Sequence, residues 1–161
     1  MIEAAASEFI ERMGIVLSDD GMPRIAGRIF GLLLVSPDEV SLDEIAWSLG
    51  VSKASVSSDT RRLEQRGLLE RVSRPGDRRD YFRMRPDLLS NLMEYRLRRW
   101  NRVRDAVAEG RRALQGESPV VDERLADLAD GLEHSIVNLA GALERWRASR
   151  TTADPAPMER A

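Results

Sequence analysis

The 161-residue sequence contains no cysteine and only one histidine, His134. The lack of cysteine excludes disulfides, thiol redox sensing and cysteine-ligated metal sites, and with one histidine a transition-metal sensor is not expected. Aromatic residues are scarce, at 5% of the chain. No apolar run reaches the roughly 18 residues that a membrane-spanning helix requires. We therefore expect no membrane partner.

The sequence also lacks the usual signatures of catalysis and of export. It contains no nucleophile elbow, no glycine-rich phosphate loop and no histidine-based acid–base pair. The first eight residues lack the basic segment and apolar segment of a signal peptide. We predict that the chain is not an enzyme, that it has no catalytic residue, cofactor or metal, and that it is cytoplasmic.

Charge is distributed unevenly along the chain, although the net charge is only −2. Counted from the sequence, residues 1–50 carry −6, residues 51–85 carry +5, residues 86–115 carry +3 and residues 116–161 carry −4. All but one of the basic residues are arginine, which favours bidentate contacts with phosphate and guanine. A clustered positive segment of this kind is typical of nucleic-acid binding.

The most positive segment begins inside a pattern typical of a helix-turn-helix. Ser41 and Glu44 have the spacing of a capping box, which predicts a helix from residue 42. Gly50 ends that helix, and Ser52 caps a second one that runs to Gly67. The residues predicted to face inward are Ile45, Ala46 and Leu49 on the first helix and Val56, Thr60 and Leu63 on the second.

A β-hairpin is predicted directly after the second helix. Residues 68–72 and 80–84 have strand character, and the turn between them contains Pro75 and Gly76. The turn carries three arginines, Arg74, Arg78 and Arg79. A hairpin in this position is a wing, so the segment predicts a winged helix-turn-helix.

Two stretches of this segment resemble a known family. Residues 64–71 (EQRGLLER) followed by residues 74–79 (RPGDRR) are similar to the MarR family of winged-helix transcription regulators, and residues 21–33 (GMPRIAGRIFGLL) are similar to its GbsR-like branch. The resemblance covers residues 15–85 well. It implies a homodimer that binds a pseudo-palindromic operator in double-stranded DNA and responds to an effector, and it implies that Asp77 orients a neighbouring arginine.

The residues expected to contact DNA lie on the second helix and on the wing. Small residues on the outer face of the helix permit deep entry into a major groove, and its first turn is suited to phosphate contacts. Arg78 is the residue we expect in a minor groove. The full predicted set is Ser52, Lys53, Ala54, Ser55, Ser57, Ser58, Arg61, Arg62, Arg74, Arg78 and Arg79.

Apolar residues at helical spacing predict four further helices around this core. They cover residues 2–17, 22–35, 87–114 and 120–147, and Gly27 and Gly31 are expected to permit close helix approach. The predicted fold is mainly α, with a small β-hairpin wing, a winged helix-turn-helix core and long terminal dimerisation helices. Its parts are residues 1–20 (N-terminal helix, dimerisation), 21–86 (DNA-binding domain), 87–148 (helical dimerisation arm) and 149–161 (disordered tail).

An effector site is suggested only by a few aromatic residues. Trp47, Tyr95, Trp100 and Trp146 are candidates for a cage that binds a cationic small molecule through cation–π contacts. Aromatic residues at helical spacing also form ordinary cores, and the sequence leaves both interpretations open.

The sequence therefore predicts a homodimeric, sequence-specific regulator that binds double-stranded DNA and is released or retained when a ligand changes the spacing of its recognition helices. The alternative is a winged-helix protein-interaction module without operator recognition. Asp59, an acidic residue on the predicted recognition helix, leaves room for that alternative.

Overall fold

The computed structural model describes residues 4–151, which divide between residues 88 and 89 into two compact units. Unit 1 contains the N-terminal helices, the helix-turn-helix and the wing, and unit 2 contains the two long C-terminal helices. The elements are α1 (Ala4–Asp19), α2 (Arg24–Leu34), β1 (Val40–Ser41), α3 (Leu42–Leu49), α4 (Lys53–Gln65), β2 (Leu69–Val72), β3 (Tyr81–Met84), α5 (Leu88–Leu114) and α6 (Pro119–Thr151). The predicted mainly helical, winged-helix fold is confirmed.

The helix-turn-helix forms from the local signals that its sequence carries. The Ser41 hydroxyl accepts a hydrogen bond from the Glu44 backbone N–H at 3.2 Å, and the Glu44 carboxylate accepts one from the Ser41 N–H at 2.8 Å. Gly50 adopts a left-handed conformation with φ of 63°, a region that disfavours residues with a Cβ. Ser52 then caps α4 by accepting from the Ser55 N–H at 3.1 Å. The capping box and the turn are confirmed.

The wing belongs to a three-stranded antiparallel sheet rather than to an isolated hairpin. The strand order is β1-β3-β2, with Leu69 opposite Met84 and Val72 opposite Tyr81. The third strand, β1, pairs through Ser41 opposite Tyr81. Strand β1 was not predicted, because two residues are too few to show a period-2 pattern and the strand forms only by pairing with β3.

Helices α1 and α2 cross so closely that glycine is required at the contact. A Cβ placed on Gly27 would lie 2.9 Å from the Cα of Gly14 and 2.9 Å from the backbone oxygen of Met13. Ion pairs flank the crossing, because the Glu11 carboxylate lies 2.6 Å from Nε of Arg28 and 3.1 Å from Nη2 of Arg24. The expected close approach at Gly27 is confirmed.

Unit 2 is an antiparallel pair of long helices. Glu94 pairs with Arg147, and Nη1 of Arg104 lies 4.0 Å from Oε2 of Glu133, so the chain order is opposite in α5 and α6. Several apolar side chains of the two helices remain exposed: Leu92, Val103, Leu114, Val120, Leu128 and Val137. Helix α6 continues to Thr151, and the remainder of the predicted tail, like residues 1–3, lies outside the described residues. Within residues 4–151 no helix is both long and apolar enough to cross a bilayer.

We predict that Gly27→Ala destabilises unit 1. The added methyl group meets backbone atoms that have no side-chain freedom to move aside, and overpacking of this kind costs about 1–3 kcal/mol. Thermal unfolding followed by circular dichroism measures the effect as a lower melting temperature. Gly131→Ala is the matched control, because a Cβ there meets nothing within 4 Å and alanine is favoured in a helix by about 1 kcal/mol. Equal melting temperatures for Gly27→Ala and the native protein would contradict the close crossing.

Candidate nucleic-acid interface

Helix α4 has a buried face and an exposed face that match most of the predicted pattern. The buried face contains Val56, Thr60 and Leu63. The buried Thr60 hydroxyl donates a hydrogen bond to the Val56 carbonyl at 2.9 Å, so this hydroxyl needs no further partner. The predicted contact residues occupy the other face, where Ser55 and Ser57 are half-buried and the others are exposed: Ser52, Lys53, Ala54, Ser58, Arg61 and Arg62.

The first turn of α4 is a cluster of polar groups at the positive end of the helix dipole. The hydroxyls of Ser52 and Ser55 are 2.8 Å apart and share a hydrogen bond. The Lys53 ammonium forms an ion pair at 2.8 Å with Asp43 of α3. Backbone N–H groups, hydroxyls and an ammonium at a helix N-terminus are suited to a phosphate group.

Asp59 is not part of the exposed face. The residue is only 6% exposed, and its Oδ1 lies 3.5 Å from Nε of Arg62. It follows Val56 by three residues and precedes Leu63 by four, so it belongs to the buried stripe of α4. Asp59 therefore does not face DNA, and the acidic residue that left room for a protein-interaction module lies within the fold.

The wing turn is organised by the carboxylate of Asp77. It accepts hydrogen bonds from the Arg79 backbone N–H at 2.9 Å, from the Arg79 guanidinium at distances of 2.6 to 3.1 Å, and from the Tyr81 hydroxyl at 2.8 Å. The guanidinium of Arg79 contributes most to holding the pKa of Asp77 far below its usual range. The hydrogen bond to Asp77 also raises the pKa of Tyr81. Asp77 therefore orients Arg79, as the family resemblance implied.

Arg74 is also held within the protein. Its Nη2 donates to Glu39 at 2.8 Å, and its guanidinium carbon lies 3.9 Å from the centre of the Tyr81 ring. The hydrogen bond from Arg74 lowers the pKa of Glu39. The contacts of Arg74 with Glu39 and Tyr81 were not predicted, because Glu39 lies 35 residues from Arg74 and no local pattern joins them.

Two arginines of the predicted interface differ from the others. Within the predicted set, Arg62 pairs with Asp59, Arg74 with Glu39 and Arg79 with Asp77. Outside that set, Arg71 pairs with Asp80. In contrast, neither the side chain of Arg61 on α4 nor that of Arg78 on the wing forms an ion pair or hydrogen bond with any residue in the 4–151 range. Both side chains are exposed.

The aromatic residues proposed for an effector cage are distributed over both units. Trp47 lies in unit 1 and is 80% exposed. Tyr95 and Trp100, both half-buried, are five residues apart on α5 and therefore do not share a helical face. The Trp146 ring on α6 already has a cation over it, because the guanidinium of Arg150 lies 5.7 Å from its centre. The effector cage stays a prediction.

We predict that Asp59→Asn stabilises the protein at pH 7. Burial raises the pKa of Asp59 more than Arg62 lowers it, so the folded state disfavours the carboxylate. Because the pKa of Asp59 is higher in the folded state than in the unfolded state, its ionised carboxylate lowers the free energy of unfolding. This loss of stability is complete once the pH has risen through the raised pKa, and it vanishes as the pH falls below the ordinary pKa of an aspartate. Asparagine removes this destabilisation, and a gain of about 1 kcal/mol in the free energy of unfolding raises the melting temperature by about 2–4 °C at neutral pH.

The difference in melting temperature between Asp59→Asn and the native protein should shrink as the pH falls toward the ordinary range of a carboxyl group. Asp38→Asn removes the same charge from an exposed position and should leave the melting temperature unchanged. A lower melting temperature for Asp59→Asn at neutral pH would show that the Arg62 contact outweighs the cost of burial.

Comparison with known proteins gives a family for both units. Residues 20–80 match the sequence model of the MarR family, and residues 87–149 match that of the MmpR5-like MarR family transcriptional regulators. The chain is 36% identical to the HTH-type transcriptional regulator MmpR5 of Mycobacterium tuberculosis, over 86% of this chain and 85% of that protein. It is 26% identical to the putative HTH-type transcriptional regulator YvaV of Bacillus subtilis, over 91% and 81% of the two chains.

A solved structure agrees with the sequence comparisons. The crystal structure of a transcriptional regulator that is 34% identical superimposes with a TM-score of 0.83, over 89% of this chain and 99% of that chain. These relatives are regulators rather than enzymes. The chain therefore belongs to the MarR family of transcriptional regulators, which bind DNA as dimers.

Proposed function

We propose that the protein regulates transcription by binding, as a homodimer, a pseudo-palindromic operator in double-stranded DNA. Helix α4 enters the major groove, and the wing contacts the flanking minor groove. The observation that carries this placement is the difference between the paired arginines and the two unpaired ones, Arg61 and Arg78.

The unpaired arginines are the groups for which DNA contact requires the least rearrangement. A guanidinium that already donates to a carboxylate must give up that partner before it binds a phosphate or a base, whereas Arg61 and Arg78 give up only water. Arg61 extends from the exposed face of α4 and is suited to a base edge or a phosphate of the major groove. Arg78 extends from the wing turn and is suited to a narrow minor groove.

The polar first turn of α4 supplies the contacts that set the register. Ser52 and Ser55 are placed for one phosphate of the backbone, and Lys53, which is paired with Asp43, adds positive charge beside it. The side chains of Ala54, Ser57 and Ser58 are small, so the helix can approach the groove closely. Contacts to phosphate fix orientation, and contacts to base edges give selectivity. We propose that Arg62, Arg74 and Arg79 shape the surface and strengthen its positive field.

We propose that the terminal helices form the dimer interface. In unit 2 the exposed apolar residues of α5 and α6 are a surface that a second copy covers, and in unit 1 Phe9, Ile15 and Val16 of α1 are another. The two recognition helices then read half-sites about one helical turn apart. A ligand or partner that changes their spacing shifts the dimer away from its DNA-binding state.

We further propose the GbsR-like affiliation for the N-terminal part of the chain, on the basis of residues 21–33. The match of residues 87–149 to MmpR5-like regulators concerns the other unit, so the two affiliations rest on different parts of the chain. Binding to operator DNA also supports a cytoplasmic location and a role without catalysis.

We predict that Arg61→Ala and Arg78→Ala each weaken binding to the DNA upstream of the gene itself. Each removes a cation that faces the DNA, so the slope of log affinity against log salt should become shallower by about 0.9 for each phosphate that is no longer neutralised. Fluorescence anisotropy with labelled duplex at several salt concentrations measures both quantities. Light scattering should show that the dimer remains intact.

Arg124→Ala is the matched control, because it removes the same charge from an exposed position on α6. Its affinity and salt slope should equal those of the native protein. The placement of the DNA interface fails if Arg61→Ala and Arg78→Ala bind like this control. The proposed function itself fails if the native protein shows no preference for any genomic duplex over a scrambled competitor.

A further inference from the structure

Trp47 is the most exposed large apolar side chain in residues 4–151. It is 80% exposed, whereas the other exposed large apolar residues of that range reach at most 60%. It lies near the end of α3, the first helix of the helix-turn-helix. A tryptophan that contributes almost nothing to the core is a candidate for an intermolecular contact.

The position of Trp47 places it beside the proposed DNA-binding surface. Asp43 precedes it by four residues, so both residues lie on one face of α3. The Asp43 carboxylate forms the 2.8 Å ion pair with Lys53, the first residue of α4. The exposed face of α3 that carries Trp47 therefore adjoins the N-terminus of the recognition helix.

We propose that Trp47 packs against the sugar-phosphate backbone of the DNA strand that borders the major groove occupied by α4. This inference rests on the proposed function. The first helix of a helix-turn-helix crosses the DNA backbone when the second enters the groove. Deoxyribose offers an apolar surface to an indole ring, and the indole N–H is a donor that suits a phosphate oxygen.

The surroundings of Trp47 favour DNA over a second protein. The exposed neighbours on its helix, Asp43 and Glu44, are acidic, so the indole is a single apolar group in a polar setting. The Glu44 carboxylate is held in the capping box, where it accepts hydrogen bonds from the Ser41 N–H and hydroxyl. Protein interfaces instead have an apolar centre made of several residues. Asp43 is neutralised by Lys53, which reduces its repulsion of a phosphate strand at this edge.

The first test compares Trp47→Ala and Trp47→Phe in the full-length protein. Trp47→Ala should weaken binding to the operator roughly tenfold, as expected when a large aromatic side chain is removed from an interface. The salt slope should stay unchanged, because no charge is removed. Trp47→Phe should restore most of the affinity. Both variants should keep the native melting temperature, since the side chain is outside the core.

The second test follows Trp47 directly by fluorescence. In the Trp100→Phe/Trp146→Phe background Trp47 is the sole tryptophan, and its quenching by acrylamide reports its exposure. Operator DNA should protect it, and raising the protein concentration without DNA should not. Should the double variant fail to fold, the affinity and salt slope of Trp47→Ala decide the question.

Each outcome separates this inference from the proposed function. Native affinity for Trp47→Ala, or a Trp47 that is equally quenched with and without bound DNA, would overturn the contact while operator binding remains established. Protection by protein concentration alone would assign the surface to a second copy instead. Weaker binding with a shallower salt slope would overturn the contact as well, because the effect would then arise through Lys53 and its neighbours. Absence of any selective DNA binding by the native protein would overturn both proposals.

Discussion

Ser41 joins the three parts of unit 1 on which the proposed function depends. It is fully buried, it ends β1 opposite Tyr81, and its side chain caps α3. The next residue, Leu42, donates its backbone N–H to the Asp80 carbonyl at 2.9 Å. The start of the helix-turn-helix is thereby fixed to the returning strand of the wing. Because Tyr81 also donates to Asp77, the same junction reaches the wing turn and its arginines. The recognition helix and the wing are held in one frame, which is a requirement for reading adjacent grooves.

Within unit 1, ion pairs with carboxylates determine which arginines are available to a ligand. Glu39, Asp59, Asp77 and Asp80 each bind an arginine within the fold. Most of these pairs are exposed, so each adds at most about 1 kcal/mol to stability, and their main effect is to fix side-chain orientation. The positive charge of residues 51–85 therefore overstates the number of free cations. Arg61 and Arg78 are the members of the predicted interface that the fold leaves to interact with solvent or DNA.

The sequence predicted the parts of this protein that local signals determine. Caps at Ser41 and Ser52 and the turn at Gly50 were correct because each depends on neighbouring residues. The strand β1 and the Glu39–Arg74 pair were missed because both depend on residues about 35 or more positions away. The burial of Asp59 was not predicted, although its spacing from Val56 and Leu63 fits the buried stripe, because a carboxylate is rarely buried. The exposure of Trp47 was not predicted, although Asp43 four residues earlier lies on the same helix face, because a tryptophan is more often buried than exposed.

The small number of free arginines explains why one copy is not enough for operator recognition. A bidentate contact between an arginine and a base contributes about 1–3 kcal/mol of discrimination, and specific sites exceed non-specific DNA by about 4–10 kcal/mol. Arg61 and Arg78 of a single chain reach the lower part of that range at best. A second copy doubles the contacts without a new surface, provided that the half-site spacing matches the dimer. In the proposed dimer, the exposed apolar residues of α5 and α6 therefore contribute indirectly to specificity. Any change that separates the two copies, or alters the spacing of their recognition helices, therefore removes most of the discrimination between specific and non-specific DNA. The electrostatic attraction of each copy to DNA persists.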